Sequence, residues 1–174
     1  LKTVNITLHI QERGDPGEPV FEVQTNLPDG AKVNLTLKGN GYQKKQVVKI
    51  KSGKATSDPF QTDDRKPLGS GDYTLTAEMN MKDQSWGVQG ELGNDGECMT
   101  GDAVKENADG TASVLVESAY TSTYEENNLS VEAIQEVLRQ SYKNSFGDNF
   151  SIETENNIMT MKLWGDGVAT NAMF

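Results

Sequence analysis

The chain has 174 residues, 34% of them hydrophobic, with 26 acidic and 16 basic side chains, material for one medium or two small packed domains. Its longest apolar runs are two or three residues, such as Val114-Leu115-Val116, so it has no segment near the roughly 20 that a membrane-spanning helix needs. The net charge of −10 argues against nucleic-acid binding, which rests on neutralising phosphates with Lys and Arg.

That charge is unevenly spread. Residues 1–82 hold 10 acids and 12 bases, a balance of +2, whereas residues 83–174 hold 16 acids and 4 bases, a balance of −12.

The first 82 residues alternate apolar and polar positions in short runs broken by turn residues, the pattern of half-buried antiparallel strands. Val4, Ile6, Leu8 and Ile10 form the first run, and Gln11 to Pro19 read as a connection. Phe21 and Val23 then face one way, and Pro28-Asp29-Gly30 predicts a tight turn. Val33, Leu35 and Leu37 make the third run, closed by Gly39-Asn40-Gly41; Val48 and Ile50 make the fourth, closed by Ser52-Gly53. A weaker run leads from Ala55 towards Phe60, and Tyr73, Leu75, Ala77, Met79 and Met81 make the longest. Sheets with one apolar face pack face to face, so the pattern predicts an antiparallel sandwich of immunoglobulin-like type.

Leu27-Pro28-Asp29-Gly30, Gly41-Tyr42, Lys51-Ser52-Gly53-Lys54 and Pro59-Phe60 carry a resemblance, together with Pro67-Leu68 running into Gly71-Asp72-Tyr73-Thr74-Leu75. Over residues 1–82 the chain resembles Ig-like modules of bacterial surface and secreted proteins, in which a leucine, glycine and tyrosine segment leads into a late strand. The resemblance implies fold and an extracytoplasmic setting, not an activity.

Residues 83–111 bring Gly87, Gly90, Gly93, Gly96, Gly101 and Gly110 among acidic side chains, and read as an irregular acidic connection within a domain of residues 1–124. Ala112 to Ser122 restores alternation as a last strand, and the boundary falls near Tyr124-Glu125-Glu126. Residues 125–174 predict a small α+β segment of one helix and a β-hairpin. Ser130 caps the helix, Leu129 staples it, and Val131, Ile134, Val137, Leu138 and Tyr142 form its apolar side. Phe150 and Ile152, then Asn156-Asn157, then Met159, Met161 and Leu163 give the hairpin. About 50 residues bury too little for an independent core, so this segment is expected to dock on the sandwich or to continue beyond Phe174. Leu1 is not an initiator, and a processed or trimmed chain that has lost a signal peptide is expected.

One histidine and one cysteine leave few routes to catalysis. Alternation turns His9 away from the apolar face, with no partner brought to it in sequence. Cys98 sits among Asp95, Glu97 and Asp102, whose charge disfavours a thiolate. Those three carboxylates are the candidate calcium ligands, but they lack EF-hand spacing, as does Asp166. Glu153 with Glu155, Asp63-Asp64 and Glu125-Glu126 are carboxylate pairs of the kind common on solvated surfaces. No catalytic residue, metal or cofactor is therefore assigned.

Lys44, Lys45, Lys49, Lys51, Lys54, Arg65 and Lys66 form a basic cluster, with Lys49 and Lys51 alternating against Val48 and Ile50. Lys44, Lys45, Lys49 and Lys51, with Tyr42 and Trp86 in exposed loops, make the candidate contact patch for an unknown protein or an anionic cell-wall polymer. The sequence thus predicts a non-enzymatic binding or structural module of a bacterial envelope protein, lipoprotein or secreted protein. Its alternatives are an accessory domain of a surface hydrolase, with a site near Glu125, Asp148 or Glu153, and a calcium-stabilised adhesion domain.

Overall fold

The computed structural model describes residues 2–126, 131–146, 149–155, 158–165 and 168–173. The chain is mainly β and divides into two compact units, Leu1–Glu125 and Glu126–Phe174. The first unit opens with β1 (Val4–Asn5), β2 (Leu8–Asp15), β3 (Glu18–Thr25), β4 (Lys32–Gly39), β5 (Tyr42–Lys49), β6 (Lys54–Thr56) and β7 (Gly71–Asn80). It continues through α1 (Trp86–Leu92), β8 (Met99–Thr100), β9 (Val104–Glu106) and β10 (Ala112–Ser122). The strands form a five-stranded sheet in the order β5-β4-β7-β10-β9, a three-stranded sheet β2-β3-β6 and a short pair β1-β8.

Period-two alternation puts Val33, Leu35 and Leu37 of β4, Leu75, Ala77 and Met79 of β7, and Phe21 and Val23 of β3 into one apolar core. Both larger sheets therefore bury one face against shared side chains. A run of aromatic rings links them: Phe60 meets Phe21 edge-on at 5.6 Å, and Phe21 meets Tyr120 at 6.1 Å. Tyr120 lies 6.0 Å from Tyr73, which lies 6.2 Å from Tyr42. The phenol groups find partners as they are buried. Tyr120 Oη accepts a hydrogen bond from Gly17 N at 3.1 Å, and Tyr73 Oη donates to Gly69 O at 3.0 Å.

Turn chemistry fixes the hairpins. Asn40 and Gly41 hold φ of 47° and 73°, the twist a two-residue loop between right-twisted strands requires, and the register runs from Gly39↔Tyr42 to Lys32↔Lys49. Gly17, at φ 80°, closes the β2–β3 hairpin where a Cβ would lie 2.7 Å from Tyr124 Cβ and 2.8 Å from Leu68 O.

Several expected boundaries move. The run Val4 to Ile10 is two strands, because β1 pairs in parallel with β8 while β2 pairs with β3. The break at Ile6-Thr7 is bridged by Asn26, whose Oδ1 accepts from Thr7 N at 2.9 Å and whose Nδ2 donates to Asn5 O at 2.8 Å. Gln11 to Asp15, expected as a connection, continue β2, since hairpin pairing from Leu8↔Thr25 to Asp15↔Glu18 needs no apolar side chain. The supposed irregular stretch 83–111 contains α1, β8 and β9. Val88 and Leu92 anchor α1 to the core at i, i+4 spacing despite Gly87 and Gly90.

The second unit comprises α2 (Val131–Phe146), β11 (Phe150–Glu155), β12 (Ile158–Gly165) and β13 (Val168–Met173), the strands forming a sheet in that order. The expected hairpin is therefore three strands. Leu138 and Tyr142 of α2 line a cavity of about 140 Å³ with Ile152, Met159 and Met161. Of the expected apolar side, Ile134 and Val137 are exposed instead, at 36% and 57%. Leu129, Ser130, Asp148, Asn156, Asn157 and Asp166 lie outside the described residues, as does the side chain of Glu155.

The aromatic run makes a quantitative demand. Phe21→Ala should cost about 3–5 kcal/mol in urea unfolding and Tyr73→Phe about 1 kcal/mol, the latter for one lost hydrogen bond. A Phe21→Ala chain as stable as its parent would contradict the shared core.

Candidate contact surface

Strand alternation sorts the basic cluster of β5 into two groups. Val48 is buried, so Tyr42, Lys44 and Gln46 share its inward side, while Gln43, Lys45, Val47 and Lys49 are exposed on the outward side. Lys44 and Tyr42 are thereby structural. The Lys44 Nζ and the Tyr42 Oη both donate to Gln61 O, at 3.2 and 3.1 Å. Burial, with smaller contributions from Asp63 and Tyr73, pushes the Tyr42 phenol up to about 12. Tyr42 is not the exposed loop residue that the sequence suggested.

Gln46 completes this seam by imitating a backbone amide. Its Nε2 donates to Asp58 O at 3.1 Å and its Oε1 accepts from Asp58 N at 2.9 Å. The segment it holds belongs to the other sheet, since Ser57 N donates to Phe21 O and Phe60 N to Pro19 O. The outward group is left free. Lys45 and Lys49 have no acidic partner among the described residues, and Val47 between them is 56% exposed. Lys51, also exposed, follows on the same alternation and forms a bridge to Lys54.

Trp86 opens α1 and is 91% exposed, which places it on a helix start and not in a loop. Its position follows from Gln84, two residues earlier. The buried Gln84 side chain accepts from Lys32 N at 2.8 Å and donates to Lys32 O at 3.0 Å, so α1 begins where β4 begins. Lys32 pairs with Lys49, which brings Trp86 to the same end of the five-stranded sheet as two lysines.

The calcium candidates do not converge. Asp102 lies in the wall of a groove of about 390 Å³ shared with His9, while Asp95 and Glu97 line a different groove of about 470 Å³. Among the described residues no three His, Cys, Asp or Glu side chains group as a metal site. Glu97 is already occupied. Backbone N–H groups of Glu97 itself and Asp95, with smaller help from Asn94 and Gly96, hold its carboxyl below the ordinary value. The carboxylate fills the space beside Gly93, where a Cβ would clash with it.

His9 and Asp102 share their groove as exposed side chains, and the nearby Thr7 hydroxyl is directed to Asn26 Oδ1 at 3.4 Å. Cys98 is buried, away from any exchange partner. Glu125, the last residue of the first unit, and Glu126, the first of the second, are both exposed; Asp63 and Asp64 are exposed in the connection before β7, and Glu153 pairs with Lys162 at 2.6 Å within the second unit. Among the described residues no helix is long and apolar enough to cross a membrane.

Comparison with protein-family models, curated proteins and solved structures finds no match.

Two exposed carboxylates give that geometry a pH signature. Asp109 is held well below the usual carboxylate range by the Lys82 ammonium first and by Thr111 second, and Glu97 by its backbone donors. A carboxylate whose pKa is lowered by folding contributes its full stability above the unfolded value and loses it as the pH falls through the folded one. Glu97→Gln and Asp109→Asn should each lower the melting temperature at neutral pH, with the gap to the parent closing below about pH 4. Melting curves at stepped pH check this; a gap that persists in acid would contradict the assigned bonds.

Proposed function

We propose that this chain is a non-enzymatic binding or structural module of a bacterial envelope or secreted protein, with its first unit folded as an Ig-like β-sandwich. Strand order supports the fold reading. Setting aside β1, β8 and β9, the first, second and fifth strands lie in one sheet and the third, sixth and seventh in the other, as in Ig-type sandwiches, with the fourth strand paired to the third instead of joining the first sheet. Tyr73 adds to this support. It stands near the start of the sixth strand and its hydroxyl reaches back to Gly69 O, four residues upstream, in the manner of a tyrosine corner.

The observation that carries the binding role is the combination of Lys45 and Lys49, which meet no carboxylate among the described residues, around exposed Val47 with the almost fully exposed Trp86. Leaving a tryptophan in water forgoes a large apolar burial, and tryptophan with basic neighbours is a frequent anchor of interfaces. The surface fits an anionic partner, a protein or a wall polymer, and the resemblance of residues 1–82 to bacterial surface modules supports an extracytoplasmic setting.

Titration with soluble poly(glycerol phosphate), followed by tryptophan emission and compared with a Trp86→Phe variant, tests the proposal. Binding should shift the Trp86 emission to the blue, weaken steeply with salt, and fall about 10-fold or more in Lys45→Glu/Lys49→Glu. Binding unaffected by both the salt and the double substitution, or no binding at low salt, would overturn it.

A further inference from the structure

The outer face of the five-stranded sheet carries charges that the chain does not satisfy by itself. Because Val48, Leu35, Ala77 and Tyr120 are buried, the alternate residues of β5, β4, β7 and β10 face outward. Strand register sets them in rows across the sheet. One row runs Lys45, Thr36, Thr76, Glu117, and the next runs Val47, Asn34, Glu78, Leu115.

In both rows the basic and acidic ends are kept apart. Neighbouring strands lie about 4.8 Å from one another, so Lys45 and Glu117 stand about 14 Å apart and cannot pair within one copy. Among the described residues Lys45, Lys49, Glu78 and Glu117 form no ion pair. Lys49 even faces Lys32 directly across the β4–β5 pair, a like-charge neighbour that costs stability while nothing covers it. The lysines thus sit on β5 and β4, and the glutamates on β7 and β10.

We infer that two copies of this chain pack outer face on outer face, about a two-fold axis parallel to the strands and between β4 and β7. The inference rests on the reading of Lys45 and Lys49 as contact residues and names their partner. Turned about that axis, each row becomes its own complement. Lys45 meets Glu117 of the second copy, Val47 covers Leu115, and Asn34 donates to the Glu78 carboxylate, each contact being made twice. The third row, Gln43, Lys38, Thr74 and Ala119, likewise brings no like charges together. An axis across the strands would instead lay β5 over β5 and set lysine against lysine.

The contact uses the same patch on both copies, so it closes at the dimer. The backbone at the β5 edge takes no part in it. In the β4–β5 hairpin the closing pair Gly39↔Tyr42 exchanges hydrogen bonds, and Ile50 N donates to Ala31 O at 2.9 Å, so even-numbered residues of β5 pair with β4. The amides of Lys45 and Val47 therefore point along the free edge and stay in water in the dimer.

Sedimentation equilibrium of the full chain from about 10 μM to about 1 mM, the range suited to a small polar interface, tests this at low and high salt. The mass should rise from 19.0 kDa towards twice that value and no further, and high salt should return it to the monomer. Lys45→Glu and Glu117→Lys should each weaken dimerisation about 10-fold or more. Lys45→Glu/Glu117→Lys in one chain, or a mixture of the two single variants, should restore it; circular dichroism confirms that all are folded. Several results would overturn the inference: a parent chain monomeric throughout, a mass climbing past the dimer, a double reversal no more associated than the single variants, or slowed exchange of the Lys45 and Val47 amides on association. Glu117→Lys leaves Lys45, Lys49 and Trp86 intact, so its poly(glycerol phosphate) binding reports separately on the broader contact reading.

Discussion

Phe21 stands at the centre of the first unit because its ring touches Phe60 on one side and Tyr120 on the other, and Tyr120 belongs to the opposite sheet. Removing it would open a cavity at the centre of the core that Val23, Leu35, Leu37, Leu75 and their neighbours otherwise share. The continuation through Tyr73 to Tyr42 carries the same contact across the five-stranded sheet to its basic edge. Each phenol is tied to the backbone of a connecting segment, at Gly17, Gly69 or Gln61, so the aromatic run fixes the loops as well as the sheets. The outer face of β5 is held in place by this inner arrangement.

Around that core, side-chain amides replace missing strand pairing. Asn26 bridges the break between β1 and β2, Gln46 fastens β5 to the segment after β6, and Gln84 docks the start of α1 on Lys32. A primary amide offers one acceptor and two donors, the complement of a peptide group, so each can satisfy buried backbone where no strand is available. This is why the position of Trp86 follows from a glutamine two residues away.

Alternation made most of the long strands legible from sequence, because Val33 to Leu37, Tyr73 to Met81 and Ala112 to Ser122 bury every second side chain against the same core. Where burial did not follow period two, the reading failed. The polar end of β2 is held by hairpin pairing, α1 by Val88 and Leu92 despite weak helix formers, and β13 carries only scattered apolar residues in its Val-Ala-Thr-Asn-Ala-Met sequence. Parity did contain the division of the contact patch, since Lys44 and Tyr42 share the even-numbered side of Val48. Val47 and Lys32 were missed because their significance comes from tertiary placement: sheet order puts β5 at an edge, and the Gln84 side chain ties the start of α1 to Lys32. Nothing local in the sequence states which strands are edges.

A closed interior with an open edge describes how the inner aromatic packing and the outer lysine surface coexist on one strand. Backbone hydrogen exchange examines both sides of that statement at once. The account predicts that the most protected amides of β3 and β7 exchange through the same global opening, whereas the Lys45 and Val47 amides exchange far faster than their β4 neighbours. Exchange of β3 through a separate opening of lower free energy, or strong protection at Val47 in the dilute chain, would contradict it.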